Sequence, residues 1–200
     1  MNAHRQQVML GRDIEAIVIG GSAGAFEVVR HVLSELAGDP RVPIIVVMHL
    51  PARNSTTIHE TLQWTSRVPL VMADDKQPFD AGAVYFAPAG YHLLVEAGRS
   101  AALSIDDPIM YSRPSIDVLF QSAGDVYRKQ LLGILLSGAS PDGAEGLHSI
   151  QRAGGATVVQ RPETCESPLM TRSALNLMTP DLMLSPAEIV SLVSDVACAQ

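Results

Sequence analysis

Short apolar runs alternate with longer amphipathic segments along most of this chain. The apolar runs predict strands at 14–20, 43–48, 68–72, 131–136 and 156–160. The amphipathic segments and the turn signals that bound them predict helices at 24–37, 53–65, 115–128, 143–153, 168–177 and 186–197. Strands that alternate with helices are typical of a parallel sheet that is covered by helices on both faces.

The middle of the chain breaks this alternation. Three short apolar segments, at 83–87, 91–95 and 101–105, are separated by the turn sequences at 88–90 and 98–100. This pattern indicates short strands in a small antiparallel appendage. The predicted fold class is therefore α/β, a doubly wound, mostly parallel sheet with helices on both faces and a small antiparallel β appendage.

Nothing in the sequence marks a boundary between domains. No internal repeat, low-complexity stretch or long charged linker interrupts it. A chain of 200 residues with 47% hydrophobic content can bury a sizeable core without disulfides or a metal. We expect a single domain over residues 1–200, with its core at about 14–197 and a loose N-terminus at 1–13.

Charge and cysteine content exclude several classes of partner. The formal net charge is −7 and no Lys/Arg-rich stripe is present, which argues against nucleic acid. Cys165 and Cys198 lie far apart without metal-ligand spacing, so we expect free thiols in a reducing compartment and no metal. No run approaches the ~18 apolar residues of a membrane span. We therefore expect no membrane insertion and a cytoplasmic location.

A small-residue turn with a serine at its centre joins the first predicted strand to the first predicted helix. Strand and turn read Ile17-Val18-Ile19-Gly20-Gly21-Ser22-Ala23-Gly24. A G-x-S-x-G turn lets the serine hydroxyl project from the sheet, where helix N–H groups can stabilise an anion. Ser22 is thus a candidate nucleophile, although helix caps and phosphate-binding turns use the same residue types.

Nucleotide binding, the third hypothesis for this turn, fits the sequence less well. The G-x-G-x-x-G register would put Gly20, Ser22 and Ala25 where three glycines are needed. His49, rather than an acidic ribose ligand, follows the second predicted strand. No Lys-Ser or Lys-Thr pair follows the glycines, as a P-loop requires.

Reactive side chains follow three of the predicted strands: Ser22, His49 and Asp142. The carboxyl ends of parallel strands share one edge of the sheet, so we expect these side chains to lie close together. A histidine can take the serine proton while a carboxylate orients the ring. Each partner also has a structural interpretation, because His49 could be a loop histidine and Asp142 with Glu145 resembles a capping box for helix 143–153. The chain order Ser, His, Asp differs from that of the α/β-hydrolases.

A family resemblance covers nearly all of residues 14–197. It rests on five segments in order, at 19–24, 48–51, 87–92, 112–120 and 136–144. Together they resemble the catalytic domain of the chemotaxis receptor methylesterases, the CheB type. The resemblance implies that a triad of Ser22, His49 and Asp142 hydrolyses glutamate γ-methyl esters on receptor helices and releases methanol. Members often deamidate glutamine as well, and no metal or organic cofactor is implied.

The resemblance also implies roles for residues around the triad. We expect the backbone N–H groups of Ala23 and Ala139 to stabilise the oxyanion. Arg113 matches a family position near the rim of the site, where it would bind an acidic region of the substrate. A surface ion pair is the alternative for Arg113.

Departures from the family pattern cluster at the site. Ala23 replaces a small hydroxyl residue, Ala25 replaces a glycine, and Gly138-Ala139-Ser140 replaces Gly-Met-Gly. Alanine at 139 would enlarge the pocket, and serine at 140 restricts the backbone. The alternative function is therefore a catalytically weakened module that binds a receptor-like helical bundle.

The common family form carries an N-terminal receiver domain, and only residues 1–13 precede the first predicted strand here. We therefore expect a separate receiver-domain regulator, an unregulated enzyme or a signalling pathway other than flagellar chemotaxis. The expected partner is a methylated chemoreceptor-like helical protein.

Overall fold

The computed structural model describes residues 12–36, 38–49 and 61–198. Its strands are β1 (Ala16–Gly21), β2 (Ile44–Met48), β3 (Leu70–Met72), β4 (Val84–Phe86), β5 (His92–Val95), β6 (Ala101–Ser104), β7 (Leu131–Leu135), β8 (Ala156–Gln160) and β9 (Leu182–Leu184). Its helices are α1 (Phe26–Glu35), α2 (Ile116–Tyr127), α3 (Ala144–Arg152), α4 (Leu169–Leu177) and α5 (Pro186–Cys198). Residues 61–65 are also helical.

Seven strands form one parallel sheet in the order β3-β4-β2-β1-β7-β8-β9. The central strand β1 pairs with β2 on one side, where Gly21 lies opposite Met48, and with β7 on the other, where Gly20 lies opposite Leu135. The chain builds outward from β1 in both directions. The carboxyl ends of β1 and its neighbours are therefore the switch point at which such sheets place their ligands.

Both faces of the central strands are buried, which explains their continuous apolar runs. In β1, Ile17 and Ile19 pack into one core layer with α1 and α5. Ala16 and Val18 point the other way, into a second layer with α2, α3 and α4. The pleat of a strand, with its period of two, divides one apolar run between the two layers.

The predicted fold class is confirmed, including the antiparallel appendage, which is the hairpin β5–β6. Predicted and observed bounds agree within a few residues for the strands β1, β2, β3, β7 and β8 and for the five labelled helices. The predicted helix at 53–65 and the loose N-terminus lie largely outside the described residues.

One strand was assigned to the wrong sheet, and another was missed. The segment 83–87 was assigned to the antiparallel appendage, but its strand β4 lies in the main sheet, parallel to β2 and β3. All of β4 is buried, as expected for a strand covered on both faces, whereas three of the four residues of β6 are only half-buried. The short edge strand β9 was missed because three residues are too few to show a period.

The helices α2 and α3 approach each other at Gly146. A Cβ at this position would lie 2.6 Å from the Cβ of Phe120 and 2.9 Å from the Cα of Asp117. Backbone atoms cannot swing away as the end of a side chain can. The contact therefore sets the distance between α3 and α2.

We predict that Gly146→Ala lowers the free energy of unfolding by about 1–3 kcal/mol. The clash outweighs the gain of about 1 kcal/mol that alanine normally brings to a helix interior. Urea unfolding measures the change. Gly98→Ala is the matched control, since the nearest atom to a Cβ there is 3.8 Å away. A more stable Gly146→Ala protein would contradict the close packing.

Candidate active site

Ser22 follows β1 directly, at the start of a tight turn. Its N–H donates to the carbonyl of Ser137 at 2.9 Å, and its own carbonyl accepts from the N–H of Ala25 at 3.0 Å. Gly24 has φ +80, a left-handed conformation that favours glycine. The turn redirects the chain into α1 and leaves Ser22 half-buried at the carboxyl edge of the sheet.

Ser137 ties this turn to two other loops. Its hydroxyl donates to the carbonyl of Ala23 at 2.7 Å and accepts from the N–H of Ser167 at 3.1 Å. The N–H of Gly138 donates to the carbonyl of Ser167 at 2.9 Å. A Cβ at Gly138 would lie 3.1 Å from the Cβ of Ser22, so the two backbones approach closely. The residues that follow β7 therefore hold the turn of Ser22 in position.

His49 follows β2, next to Ser22 across the strand pair. Its N–H donates to the carbonyl of Gly21 at 3.0 Å. Its ring Nε2 lies 2.8 Å from Oδ2 of Asp142, and the two side chains are 12% and 0% exposed. An ionised carboxylate can only accept, so Nε2 carries the proton and Nδ1 is the basic nitrogen.

Asp142 accepts four hydrogen bonds in the loop between β7 and α3. Oδ2 accepts from His49 and from the N–H of Ile116 at 2.8 Å. Oδ1 accepts from the hydroxyl of Ser115 at 2.8 Å and the N–H of Asp117 at 3.0 Å. Burial raises the pKa of Asp142, but the hydrogen bonds from His49 and from the start of α2 outweigh it, so the pKa is lowered.

Asp142 therefore caps α2, not the helix that follows it. The N-terminus of α3 is capped instead by Asp117 of α2, whose Oδ1 accepts from the N–H groups of Gly143 at 2.9 Å and Gly146 at 2.7 Å. Burial and the charge of Asp142 raise the pKa of Asp117 to about 6, against the opposing effect of those two N–H groups. The two carboxylates thus cap each other's helices, which the local capping-box pattern with Glu145 could not indicate.

A second serine and histidine lie near Asp142. Ser115 is the N-cap of α2, and its hydroxyl donates to Asp142 and accepts from the N–H of Val118 at 3.4 Å. His92 accepts from the backbone N–H of Ser115 at 3.1 Å through Nδ1, and its Nε2 donates to the carbonyl of Asp107 at 3.2 Å. His92 therefore contacts the main chain of Ser115, not its hydroxyl, and both side chains are buried. This pair holds Asp142 in place.

Ser112 is a site residue that the sequence reasoning missed. Its hydroxyl lies 3.4 Å from Nδ1 of His49, a long hydrogen bond to the basic nitrogen. Its N–H and C=O are both bonded to Ile109, at 2.8 and 3.1 Å. Ser112 stood in a segment matched to the family, but only the folded loop brings it to the ring.

The expected oxyanion donors are free in the described part of the chain. No described residue accepts a hydrogen bond from the N–H of Ala23 or Ala139, and none bonds the hydroxyl of Ser22. Ser140, one of the departures from the family pattern, accepts the N–H of Asp142 at 3.0 Å through its hydroxyl. That departure adds a bond within the loop that carries the carboxylate.

Arg113 forms hydrogen bonds with the loop that follows β6. Its Nη1 donates to the carbonyls of Ile105 at 2.7 Å and Asp106 at 3.0 Å. Among the described residues no carboxylate forms an ion pair with it. Its expected contact with an acidic region of a substrate stays a prediction.

Metal ligands and membrane spans were also sought in residues 12–36, 38–49 and 61–198. This part of the chain holds no group of His, Cys, Asp and Glu side chains that could bind a metal ion. None of its helices is long and apolar enough to cross a membrane. Cys165 and Cys198 are both free.

The chain is similar to CheB methylesterases in sequence and in fold. The family model described as CheB methylesterase matches residues 17–193. A Leptospira interrogans protein, named as a candidate protein-glutamate methylesterase/protein-glutamine glutaminase, is 41% identical over 178 residues, 89% of this chain and 92% of that protein. A Clostridium acetobutylicum protein-glutamate methylesterase/protein-glutamine glutaminase is 32% identical over 171 residues, 86% of this chain and 50% of that protein. The crystal structure of the Thermotoga maritima CheB methylesterase catalytic domain matches with a TM-score of 0.86 and 26% identity, over 92% of this chain and 98% of that chain.

The raised pKa of Asp117 predicts a pH-dependent stability. An aspartate in an unfolded chain has a pKa of about 3.9. Between that value and about 6 the folded protein binds more protons than the unfolded chain. The stabilisation from protonated Asp117 is therefore full below about pH 4 and is lost as the pH rises through about 6.

We predict that Asp117→Asn removes this dependence. From pH 4 to 6, the free energy of unfolding of the unmodified protein should fall by on the order of 2 kcal/mol relative to that of the variant. Urea unfolding across this pH range measures the difference. Asp125→Asn, which makes the same substitution at an exposed position of α2, is the control. Parallel pH profiles for the Asp117→Asn variant and the unmodified protein would contradict the raised pKa.

Proposed function

This chain belongs to the CheB methylesterase family, and on that premise we propose that it hydrolyses glutamate γ-methyl esters of chemoreceptor-like proteins and deamidates glutamine. The observation that carries the proposal is the 2.8 Å hydrogen bond between His49 and Asp142 beside Ser22. It leaves the basic nitrogen of the ring unprotonated and ready to accept a proton.

The first half of the reaction forms an acyl-enzyme. The hydroxyl oxygen of Ser22 attacks the ester carbonyl carbon while Nδ1 of His49 takes the hydroxyl proton. Asp142 stays ionised, in line with its lowered pKa, and stabilises the imidazolium. The tetrahedral intermediate collapses, His49 gives the proton to the leaving oxygen, and methanol departs.

The second half regenerates the serine. Water attacks the acyl carbon, His49 takes a proton from the water and returns it to the oxygen of Ser22, and a glutamate carboxylate is released. With glutamine the same steps release ammonia in place of methanol. The free N–H groups of Ala23 and Ala139 are the oxyanion donors we propose, and each such donor is typically worth roughly 3–4 kcal/mol in the transition state.

Two other serines near the triad are less suited to attack. The hydroxyl of Ser115 is buried and donates to Asp142. The hydroxyl of Ser112 is near Nδ1 of His49, but Pro114, two positions later, has no N–H that could bind an oxyanion. Ser22 combines an unbonded hydroxyl with an unbonded neighbouring N–H, which supports its assignment as the nucleophile.

The partner we propose is a methylated chemoreceptor-like helical protein in the cytoplasm. The family's chemistry supports the substrate. The small, exposed side chain of Ala139 supports access for a glutamyl side chain carried on a helix, since its neighbour Gly138 lies close to Ser22.

We predict that Ser22→Ala abolishes methanol release from a methylated receptor cytoplasmic fragment, because no nucleophile remains. Ser112→Ala should lower kcat only modestly, by up to about tenfold, because its hydroxyl only contacts the base. Urea unfolding of both variants excludes a folding defect. If the Ser112→Ala protein released no methanol while the Ser22→Ala protein stayed active, the nucleophile would be Ser112, which would contradict our assignment.

We predict that Asp142→Asn lowers kcat on the order of 10³-fold. The amide group of the asparagine can donate to Nε2 of His49, which favours the wrong tautomer of the ring. The same amide group no longer accepts well from the N–H of Ile116, so the cap of α2 is weaker. The free energy of unfolding should fall by about 1–2 kcal/mol. Methanol release and urea unfolding separate the two effects. A variant that loses stability but keeps its kcat would leave Asp142 as a helix cap alone.

A further inference from the structure

Met110 and Tyr111 form a two-residue turn in a costly backbone conformation. The flanking residues Ile109 and Ser112 exchange both backbone hydrogen bonds, at 2.8 and 3.1 Å. Met110 has φ 46 and Tyr111 has φ 66, so both lie in the left-handed region. Turns of this kind strongly favour Asn-Gly. Two large side chains at these positions oppose the local preference, and such strain is often kept where function needs it.

The turn is held rigidly at its base. Arg113 donates to the carbonyls of Ile105 and Asp106, at 2.7 and 3.0 Å. The buried His92 donates to the carbonyl of Asp107 at 3.2 Å. The segment that leads from β6 to α2 is therefore fixed by buried or half-buried side chains before and after the turn. The positions of Met110 and Tyr111 follow from the fold.

Large apolar side chains are exposed on this segment and just before β5. Tyr111 is fully exposed, and Ile105, Met110, Tyr91 and Ile109 are 73%, 45%, 42% and 38% exposed. His92 pairs with Ser104 at the open end of the hairpin, and Tyr91 and Ile105 each adjoin one residue of this pair in the chain. We name these five residues, Tyr91, Ile105, Ile109, Met110 and Tyr111, the apolar rim. Large apolar side chains exposed on neighbouring segments are typical of interaction sites.

The apolar rim adjoins the candidate active site. Ser112 follows Tyr111 directly, and its hydroxyl lies 3.4 Å from Nδ1 of His49. Tyr111 is therefore the chain neighbour of a residue that contacts His49, the proposed base. A protein segment that brings an ester to Ser22 would pass beside this surface.

We propose that the apolar rim binds the apolar face of the substrate helix that carries the glutamyl methyl ester. This inference rests on the proposed function. Residues three and four positions from the ester lie on the same helix face, so a rim beside the base would contact them. The ester is neutral, whereas the product carboxylate is charged, so a protein of formal net charge −7 repels the product more than the ester.

The test replaces the turn residues without removing the turn. Met110→Asn with Tyr111→Gly supplies the residues that this backbone prefers, so the urea midpoint should rise. For the methylated receptor fragment, KM should rise about tenfold or more while kcat changes less than about twofold. Hydrolysis of p-nitrophenyl acetate should be unchanged, because a small ester does not reach the rim. Met183→Asn, at an exposed methionine on the edge strand β9, is the control and should leave KM unchanged.

A binding measurement separates this inference from the proposed function. Fluorescence anisotropy of the labelled fragment with the Ser22→Ala protein reports docking without turnover. Weaker binding after the Met110→Asn and Tyr111→Gly changes supports the apolar rim even if the unmodified protein releases no methanol, a result that would overturn only the proposed function. Unchanged binding and KM would overturn the rim proposal alone. Dimers that these two changes convert to monomers, seen by size-exclusion chromatography, would make the rim a contact between copies and also overturn it.

Discussion

The candidate site depends on the reciprocal capping of α2 and α3 by two buried carboxylates. Asp142 accepts the N–H groups that open α2, and Asp117 accepts those that open α3. Each helix places the positive end of its dipole against a carboxylate carried by the other segment. The position of Asp142 is therefore set by the packing of two helices, and His49 is only one of its four partners. A carboxylate held in this way can orient an imidazole without being moved by it.

The same arrangement gives the two acids opposite tendencies. Burial favours the neutral form of both, but four hydrogen bonds keep Asp142 ionised. Asp117 lies next to that charge and receives fewer bonds, so its pKa is raised to about 6. Asp142 thus stays the anion beside His49 throughout the neutral range. The strained turn of Met110 and Tyr111 extends the same framework, since His92 and Ser115 link its base to the cap of α2.

Much of this fold could be predicted because the apolar runs report burial and the strand-end rule reports proximity. The family membership inferred from five short segments is confirmed. The assignment of β4 was wrong because a short apolar strand does not show which neighbour it pairs with. The cap of Asp142 was not visible because its partner helix begins 26 positions earlier in the chain, at Ile116. The contact of Ser112 with His49 depends in the same way on a loop path that no local pattern encodes. The catalytic roles of Ser22, His49 and Asp142 stay predictions.

We propose that Asp142 and His49 activate Ser22. The most direct test is to treat the protein with a fluorophosphonate probe and locate the adduct by peptide mass spectrometry. We expect one adduct, on Ser22, and much slower labelling of Ser22 in the Asp142→Asn protein. An adduct on Ser112 or Ser115, or a labelling rate that does not depend on Asp142, would contradict it.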